Sequence, residues 1–329
     1  MSDALVVTRH GGREVLAVRD LPDPTPGPGE VLVEVAAAGV NYIDVYEREG
    51  SYPLPAPFVL CQEGAGTVVA TGRGVELGTR SPRVAWAMVR GAAARYAVVP
   101  AASIVPVPDD VPLDIAAAAM LQGMTAHYLA FSCFPTGPGT TALVHAAAGG
   151  VGQLLVQALK ARGAQVIATA GSPEKCRTAL RRGADHAIDY TAQPDIATLV
   201  RELTGGRGVD VVYDGVGAST FDASLASLRP RGLLVVYGAA SGPVPPFDLQ
   251  RLNAAGSVYL TRPSLSAYIQ TRDELLDRAG TVLSAIAGRT LDVEIGGRFP
   301  LAEAATAYEL LETRRTQGKL LLIPNGGSA

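Results

Sequence analysis

From Thr141 onward the chain keeps a steady rhythm of short apolar runs and amphipathic stretches. "TALVHAAAG" reads as a strand. Val151, Leu154, Leu155, Ala158 and Leu159 then share one face of a helix over Val151 to Arg162, which Gly163 stops. "AQVIATAG" is the next strand, followed by a helix from Pro173 to about Arg182 with proline in its first turn, and by the strand "HAIDY". A helix over Asp195 to Leu203, the strand "VDVVYDGVG", a helix over Phe221 to Leu228 and the strands "GLLVVYGAA" and "GSVYLTRPS" complete the set. Short strands alternating with helices predict a parallel, doubly wound α/β sheet.

Upstream the pattern differs. "EVLVEVAAAGV", Glu30 to Val40, alternates apolar and polar residues at its start, as a half-buried strand does. "EGAGTVVATG" and "RYAVVPAASIVPVP" read as further strands bounded by glycine and proline, and "LPDPTPGPGE" is a turn segment with few N–H donors. This third of the chain predicts a small, β-rich open barrel. Beyond Ser264, the helical "RDELLDRAGTVLSAIAG" precedes "RTLDVEIGGRFPL", and the helical "AEAATAYELLETRRTQG" precedes "KLLLIP". The tail is expected to return to the first domain.

Length and composition narrow the picture. A chain of 329 residues exceeds one ordinary core, so two domains are expected. The net charge of −3 comes with no basic block, which argues against nucleic acid or an anionic membrane as a main partner. The longest apolar candidate, Ile115 to Phe131, is interrupted by Gln122 and His127, so no membrane insertion is expected. The first residues lack a basic start followed by an apolar stretch, which makes the cytoplasm the expected location. Cys61, Cys133 and Cys176 show neither pairing nor metal-ligand spacing, so neither a disulfide framework nor structural zinc is expected.

Candidate chemistry begins at "HAAAGGVG", His145 to Gly152, where the first strand of this rhythm meets its first helix. Glycines at 149, 150 and 152 suit a backbone that approaches a pyrophosphate, and the helix N-terminus offers free N–H groups. The first glycine of the usual fingerprint is an alanine here. NAD sites place an acid about 20 residues further on, at the end of the second strand. That region reads "ATAGSPEK", with Gly171 and Ser172 where the acid belongs and Lys175 beside them, one of three lysines with Lys160 and Lys319. A hydroxyl and a cation suit a 2′-phosphate, so NADPH is the expected cofactor. The competing reading is a solvated lysine at a helix start.

"GVNYIDVYEREGSYP" (Gly39 to Pro53), "EGAGTVVATG", "LQGMTAHYL", "HAAAGGVGQ", "YDGVG", "YGAASGPV" and "LTRPSL" together resemble the NADPH-dependent quinone oxidoreductases. These are the zinc-free, zeta-crystallin-like branch of the medium-chain dehydrogenases/reductases. The resemblance runs in register over nearly the whole chain. It implies a GroES-like β-rich catalytic domain over 1–122, a Rossmann NADPH-binding domain over 123–266, a return to the catalytic domain over 267–329, and a homodimer.

The resemblance also implies a site. Asn41 and Tyr46 match residues at the nicotinamide end, and with Tyr52, at the substrate, they are the candidate catalytic residues. Thr125 matches a position near the nicotinamide ribose and phosphate. Gly149, Gly150, Val151 and Gly152 match the pyrophosphate turn. Ser172, Lys175, Tyr190 and Arg314 match the adenosine-phosphate pocket, and Val216, Tyr237, Gly238, Thr261 and Arg262 match further cofactor-lining segments.

Zinc-dependent relatives carry a Gly-His-Glu motif and an upstream cysteine ligand. Here "CQEGAG" puts Gln62 in the histidine position, and Asn41 stands near the cysteine position; an amide is a poor zinc ligand. No metal is expected, and Cys61 reads as a small buried residue. The implied activity is hydride transfer to a small quinone, an acceptor with little need of a Lewis acid. The same scaffold suits reduction of an enone or enoyl-thioester C=C bond, and a non-catalytic NADPH-binding role, crystallin-like or RNA-associated, is a third reading.

Many of these residues have an ordinary alternative. Tyr46 and Tyr190 serve equally as packed aromatics, Asn41 as a turn cap and Asp44 as a helix-start carboxylate. His127 and His145 read as hydrogen-bonded structural residues. Arg314 and Arg315 are expected to close a helix, where cations favour the dipole, with one of them facing the phosphate. "SPRVAW" replaces the family's Gly-Asp-Arg-Val, yet a turn and strand are still expected there.

Overall fold

The computed structural model describes residues 1–76 and 82–324. Two compact units divide the chain: one from Met1–Met124 with the segment from Ile269 onward, the other Thr125–Tyr268.

The second unit is a six-stranded parallel sheet. In space its strands run His186–Asp189, Gln165–Ala170, Thr141–Val144, Val209–Asp214, Leu228–Val236, Tyr259–Thr261. Counted in chain order that is 3-2-1-4-5-6, the Rossmann arrangement. The two middle strands, Thr141–Val144 and Val209–Asp214, are buried at every position, which is why they read as unbroken apolar runs without alternation. Leu143, Ile167, Val212 and Leu234 form a core with Phe221 and Leu225 of the helix Phe221–Ser227. The strand order reverses between the first and fourth strands, and ligands of such sheets bind at the carboxyl ends there.

Local chemistry sets the helix ends. Gly163, at φ +79°, terminates the helix Gly150–Ala161 in the left-handed conformation that glycine tolerates. Ser172 and Asp195 cap the next two helices, Pro173–Arg181 and Ile196–Leu203, by accepting the N–H of Lys175 and Thr198. A short helix, Gln250–Ala254, precedes the last strand and has no counterpart in the sequence expectations.

In the first unit the strand Glu30–Gly39 is the hub. It pairs antiparallel with Glu63–Thr71, with Tyr96–Pro100, and through Ala38 and Gly39 with the chain's last strand, Lys319–Ile323. This sheet has seven strands, and a further three-stranded sheet joins Ser2–Val7 to Leu16–Leu21 and Phe58–Val59. "SPRVAW" supplies the strand Arg83–Ala87, with Trp86 fully buried; the turn expected before it falls on residues 77–81, outside the described residues. The apolar run around Ile115 forms the helix Leu113–Tyr128, and no helix among the described residues is long and apolar enough to cross a membrane.

The tail differs from expectation at one point. Its second helix is Ala304–Glu312, so Arg314 and Arg315 lie past its end and do not form its last turn. The helix closes when Arg314 takes φ +57°: its N–H bonds Leu311 O (3.1 Å) and the N–H of Arg315 bonds Leu310 O (2.9 Å). This is the glycine-type stop described for helix C-termini, made here by an arginine.

Candidate functional site

The glycine turn is built without its first glycine. Ala146 adopts φ +51° and makes the tight bend, at a cost of roughly 1–2 kcal/mol that glycine would avoid. The N–H of Ala147 is held by Thr169 O at 3.1 Å. Gly149 caps the helix Gly150–Ala161 without a side chain, and the first helical bond runs from Gln153 N–H to Gly149 O (2.9 Å). The N–H groups of Gly150, Val151 and Gly152 therefore precede the helix ladder, where an anion completes them. A Cβ on Gly152 would stand 2.3 Å from Ala146 O, so only glycine lets helix and strand meet this closely.

The end of the second strand is crowded at the first of the two positions where an acid belongs. A Cβ on Gly171 would fall 2.4 Å from the hydroxyl oxygen of Tyr190, so a side chain there requires that ring to shift. Ser172 Oγ accepts the N–H of Lys175 (3.2 Å), which leaves its own proton to donate outward. Lys175 is half-buried on the same first turn. Ser172, Lys175 and Tyr190 thus gather at one strand end. Arg314 belongs to the first unit, where its charge acts on the Tyr42 hydroxyl.

Two further turns lie at the carboxyl ends of the fourth and fifth strands. Asp214 Oδ1 accepts the N–H of Val216 (2.8 Å) and of Gly217 (3.0 Å), which folds "DGVG" tightly. A Cβ on Gly238 would meet Gly215 O at 2.4 Å, and one on Gly215 would meet the Tyr237 ring at 2.7 Å, so these turns pack on each other. Thr125 is buried, Thr261 half-buried, and Arg262 is exposed with Nη1 on Pro263 O (3.2 Å). His127 stacks on Phe131, as a structural residue does.

The first unit holds a buried polar cluster. Lys319 Nζ lies 2.5 Å from Glu63 Oε2, with both side chains essentially inaccessible (1 % and 0 %). Asn41 completes the group. Its Nδ2 donates to Gly39 O (3.2 Å) and Glu63 Oε2 (2.8 Å), and its Oδ1 accepts from Lys319 Nζ (2.8 Å) and Gln122 Nε2 (3.2 Å). All four hydrogen-bonding positions of the amide are occupied by these internal partners. Gly39 makes room: a Cβ there would stand 2.1 Å from Glu63 Oε2 and 2.8 Å from Lys319 Cε.

Gln62 is similarly engaged, its Nε2 donating to Glu47 Oε1 (2.5 Å), which also accepts Arg90 Nε (2.8 Å). Both residues at the positions of zinc ligands in metal-dependent relatives are bonded within the protein. Among the described residues no group of three or more His, Cys, Asp or Glu side chains has the arrangement to hold a metal ion. Tyr46 and Tyr52 stand together, ring centroids 5.3 Å apart, with Tyr52 43 % exposed and Tyr46 half-buried.

Asp44 adds a titrating element. Burial pushes its carboxyl up to about 7, against the opposing pull of the Asn41 N–H (2.7 Å) and the Tyr308 O–H (2.9 Å). An acid raised on folding contributes most stability below its unfolded value and loses that contribution as pH climbs through its folded value. Stability should therefore fall between about pH 4 and pH 7, by at most about 1.4 kcal/mol per pH unit. Asp44→Asn should flatten this slope in denaturant titrations; parallel slopes for both proteins would refute the assignment.

The fold and these turns define a medium-chain dehydrogenase/reductase: a GroES-like unit joined to a Rossmann unit. Residues 27–109 match the alcohol dehydrogenase GroES-like domain, and residues 150–278 match the zinc-binding dehydrogenase family. The quinone oxidoreductase of Pseudomonas aeruginosa is 43% identical over 326 residues, covering 98% of this chain and 100% of that protein. The 2-haloacrylate reductase of a Burkholderia species is 39% identical over 329 residues, covering 98% of each. The Escherichia coli quinone oxidoreductase, solved in complex with NADPH, superposes with a TM-score of 0.95 at 40% identity, over 98% of this chain and 100% of that one. The chain belongs to the quinone oxidoreductase family.

Proposed function

We propose that this protein is an NADPH-dependent quinone oxidoreductase that works without a metal ion. The observation that carries the cofactor assignment is the second strand's end, where Tyr190 occupies the space an acid at Gly171 would need and Ser172 and Lys175 stand alongside. NADPH, when bound, supplies the hydride. The N–H groups of Gly150, Val151 and Gly152 hold its pyrophosphate, and Ser172, Lys175 and Tyr190 hold its 2′-phosphate. Thr125, Val216, Tyr237, Gly238, Thr261 and Arg262 line the rest of its path.

In the first unit Asn41 acts as a positioning residue, fixing Lys319 and Glu63. Tyr46 and Tyr52 present the aromatic surface and hydroxyls that meet the acceptor, and a tyrosine hydroxyl or water returns the proton. Gln62 and Asn41 are held by internal partners and leave no ligand set for zinc, and a quinone's delocalised anion has little need of one. The test is NADPH consumption with 1,4-benzoquinone, an enone and crotonyl thioester. Turnover of the quinone well above the others is expected; thioester turnover with negligible quinone activity would reject the reading.

A homodimer is part of the proposal. Among the described residues the last strand of the parallel sheet, Tyr259–Thr261, pairs on one side only, with Leu228–Val236, and it exposes Tyr259 (63 %), with Leu249 (69 %) exposed ten residues earlier. An open strand edge bearing apolar side chains suits a second copy. Tyr259→Lys with Leu260→Lys should shift sedimentation toward the monomer; an unchanged dimer would place the interface elsewhere. None of the three cysteines is in a disulfide, in keeping with a reducing cytoplasm.

A further inference from the structure

Beneath the cofactor turns, a chain of hydrogen bonds joins three strand ends. His145 follows the first strand, its N–H on Tyr213 O (3.0 Å), and its ring is fully buried. Nδ1 lies 2.9 Å from Thr169 Oγ1 in the second strand. Nε2 lies 3.0 Å from Ser224 Oγ, which is 2.7 Å from Asp214 Oδ2 at the end of the fourth strand. A carboxylate only accepts, so Ser224 donates to Asp214. The Ser224 oxygen then accepts from His145 Nε2–H, which leaves Nδ1 to accept the Thr169 hydroxyl proton.

For a neutral imidazole the proton sits on Nε2 and the direction of every bond follows. Burial acts in the same sense, holding the ring below the ordinary imidazole range. With no exposed atom, His145 exchanges no proton with a ligand. Its reach is structural in a particular place. Thr169 O holds the N–H of Ala147 inside the glycine turn, and Thr169 stands three residues before Ser172. Asp214 holds the N–H groups of Val216 and Gly217, and it also takes the Thr220 hydroxyl at 2.7 Å.

We propose that the chain Thr169–His145–Ser224–Asp214 is a positioning device that fixes the glycine turn, the 2′-phosphate segment and the "DGVG" turn in one arrangement. The inference rests on the reading that this face binds NADPH. A buried, fully satisfied network is rigid, and a preformed surface lowers the cost of ordering on binding. His145, Ser224 and Thr169 are positioning residues that touch no ligand atom.

Ser224→Ala removes one hydroxyl from the middle of the chain. The dissociation constants of NADPH and NADH, read from nicotinamide fluorescence, should rise together by about tenfold, with their ratio unchanged. In steady state the KM for NADPH should rise more than kcat falls. His145→Ala should behave alike, the double variant should be no worse than either single one, and His145→Gln, which keeps a donor toward Ser224, should recover most of the affinity. A folded Ser224→Ala protein that binds both nucleotides as tightly as wild type overturns the proposal, as does a selective loss of NADPH. Failure of the wild-type protein itself to bind NADPH would instead sink the cofactor reading.

Discussion

Lys319→Met should destabilise the first unit by about 3–5 kcal/mol, because it strands the Glu63 carboxylate in the interior without its cation. Leu121 N–H (2.6 Å) and Asn41 Nδ2 (2.8 Å) remain on Glu63, yet neutral donors do not replace a fixed ammonium in a region closed to water. Adding Glu63→Gln removes the orphaned charge, so the double variant should regain most of the loss, with a large coupling energy across the cycle. Thermal unfolding should show a fall on the order of 10 °C for the single variant. A Lys319→Met protein within about 1 kcal/mol of wild type would mean that Glu63 takes up a proton or that the pair is unimportant to the fold.

Lys175→Ala should raise the KM for NADPH by about 10–100-fold, the worth of a charge-assisted hydrogen bond to phosphate, and leave that for NADH nearly unchanged. Selectivity is the informative quantity. Lys175 lies on the first turn after Ser172, so a general disturbance of that helix would weaken both nucleotides alike. Equal losses would remove Lys175 from the phosphate site and return it to a solvated lysine.

The parallel sheet was legible in the sequence because its signals are local. Apolar runs, capping residues such as Ser172 and glycine stops such as Gly163 each act within a few positions. The glycine turn was legible for the same reason, although the bend itself falls to Ala146, a residue with no propensity to advertise it. The tail helix read too long because "TRRTQG" continues a helical composition; its stop is a left-handed arginine, and only the chain's tertiary course selects that conformation.

The Glu63–Lys319 pair lay beyond reach. Its members are 256 residues apart and meet only because the last strand pairs with Glu30–Gly39. Two faint signals existed: Gly39 at the end of an otherwise alanine-rich strand, and a lysine opening the apolar run "KLLLI". The same pairing explains Asn41. It does cap the helix Tyr42–Arg48, as its sequence neighbours suggest, while its amide is also bonded by residues from three distant segments.

The central claim is hydride transfer from NADPH to a quinone with no metal ion involved. Its most direct test is the rate of NADPH oxidation by 1,4-benzoquinone after exhaustive treatment with a strong zinc chelator, with metal content measured on the same sample. The account predicts an undiminished rate at negligible zinc content. A rate that collapses on chelation and returns with added zinc would contradict it.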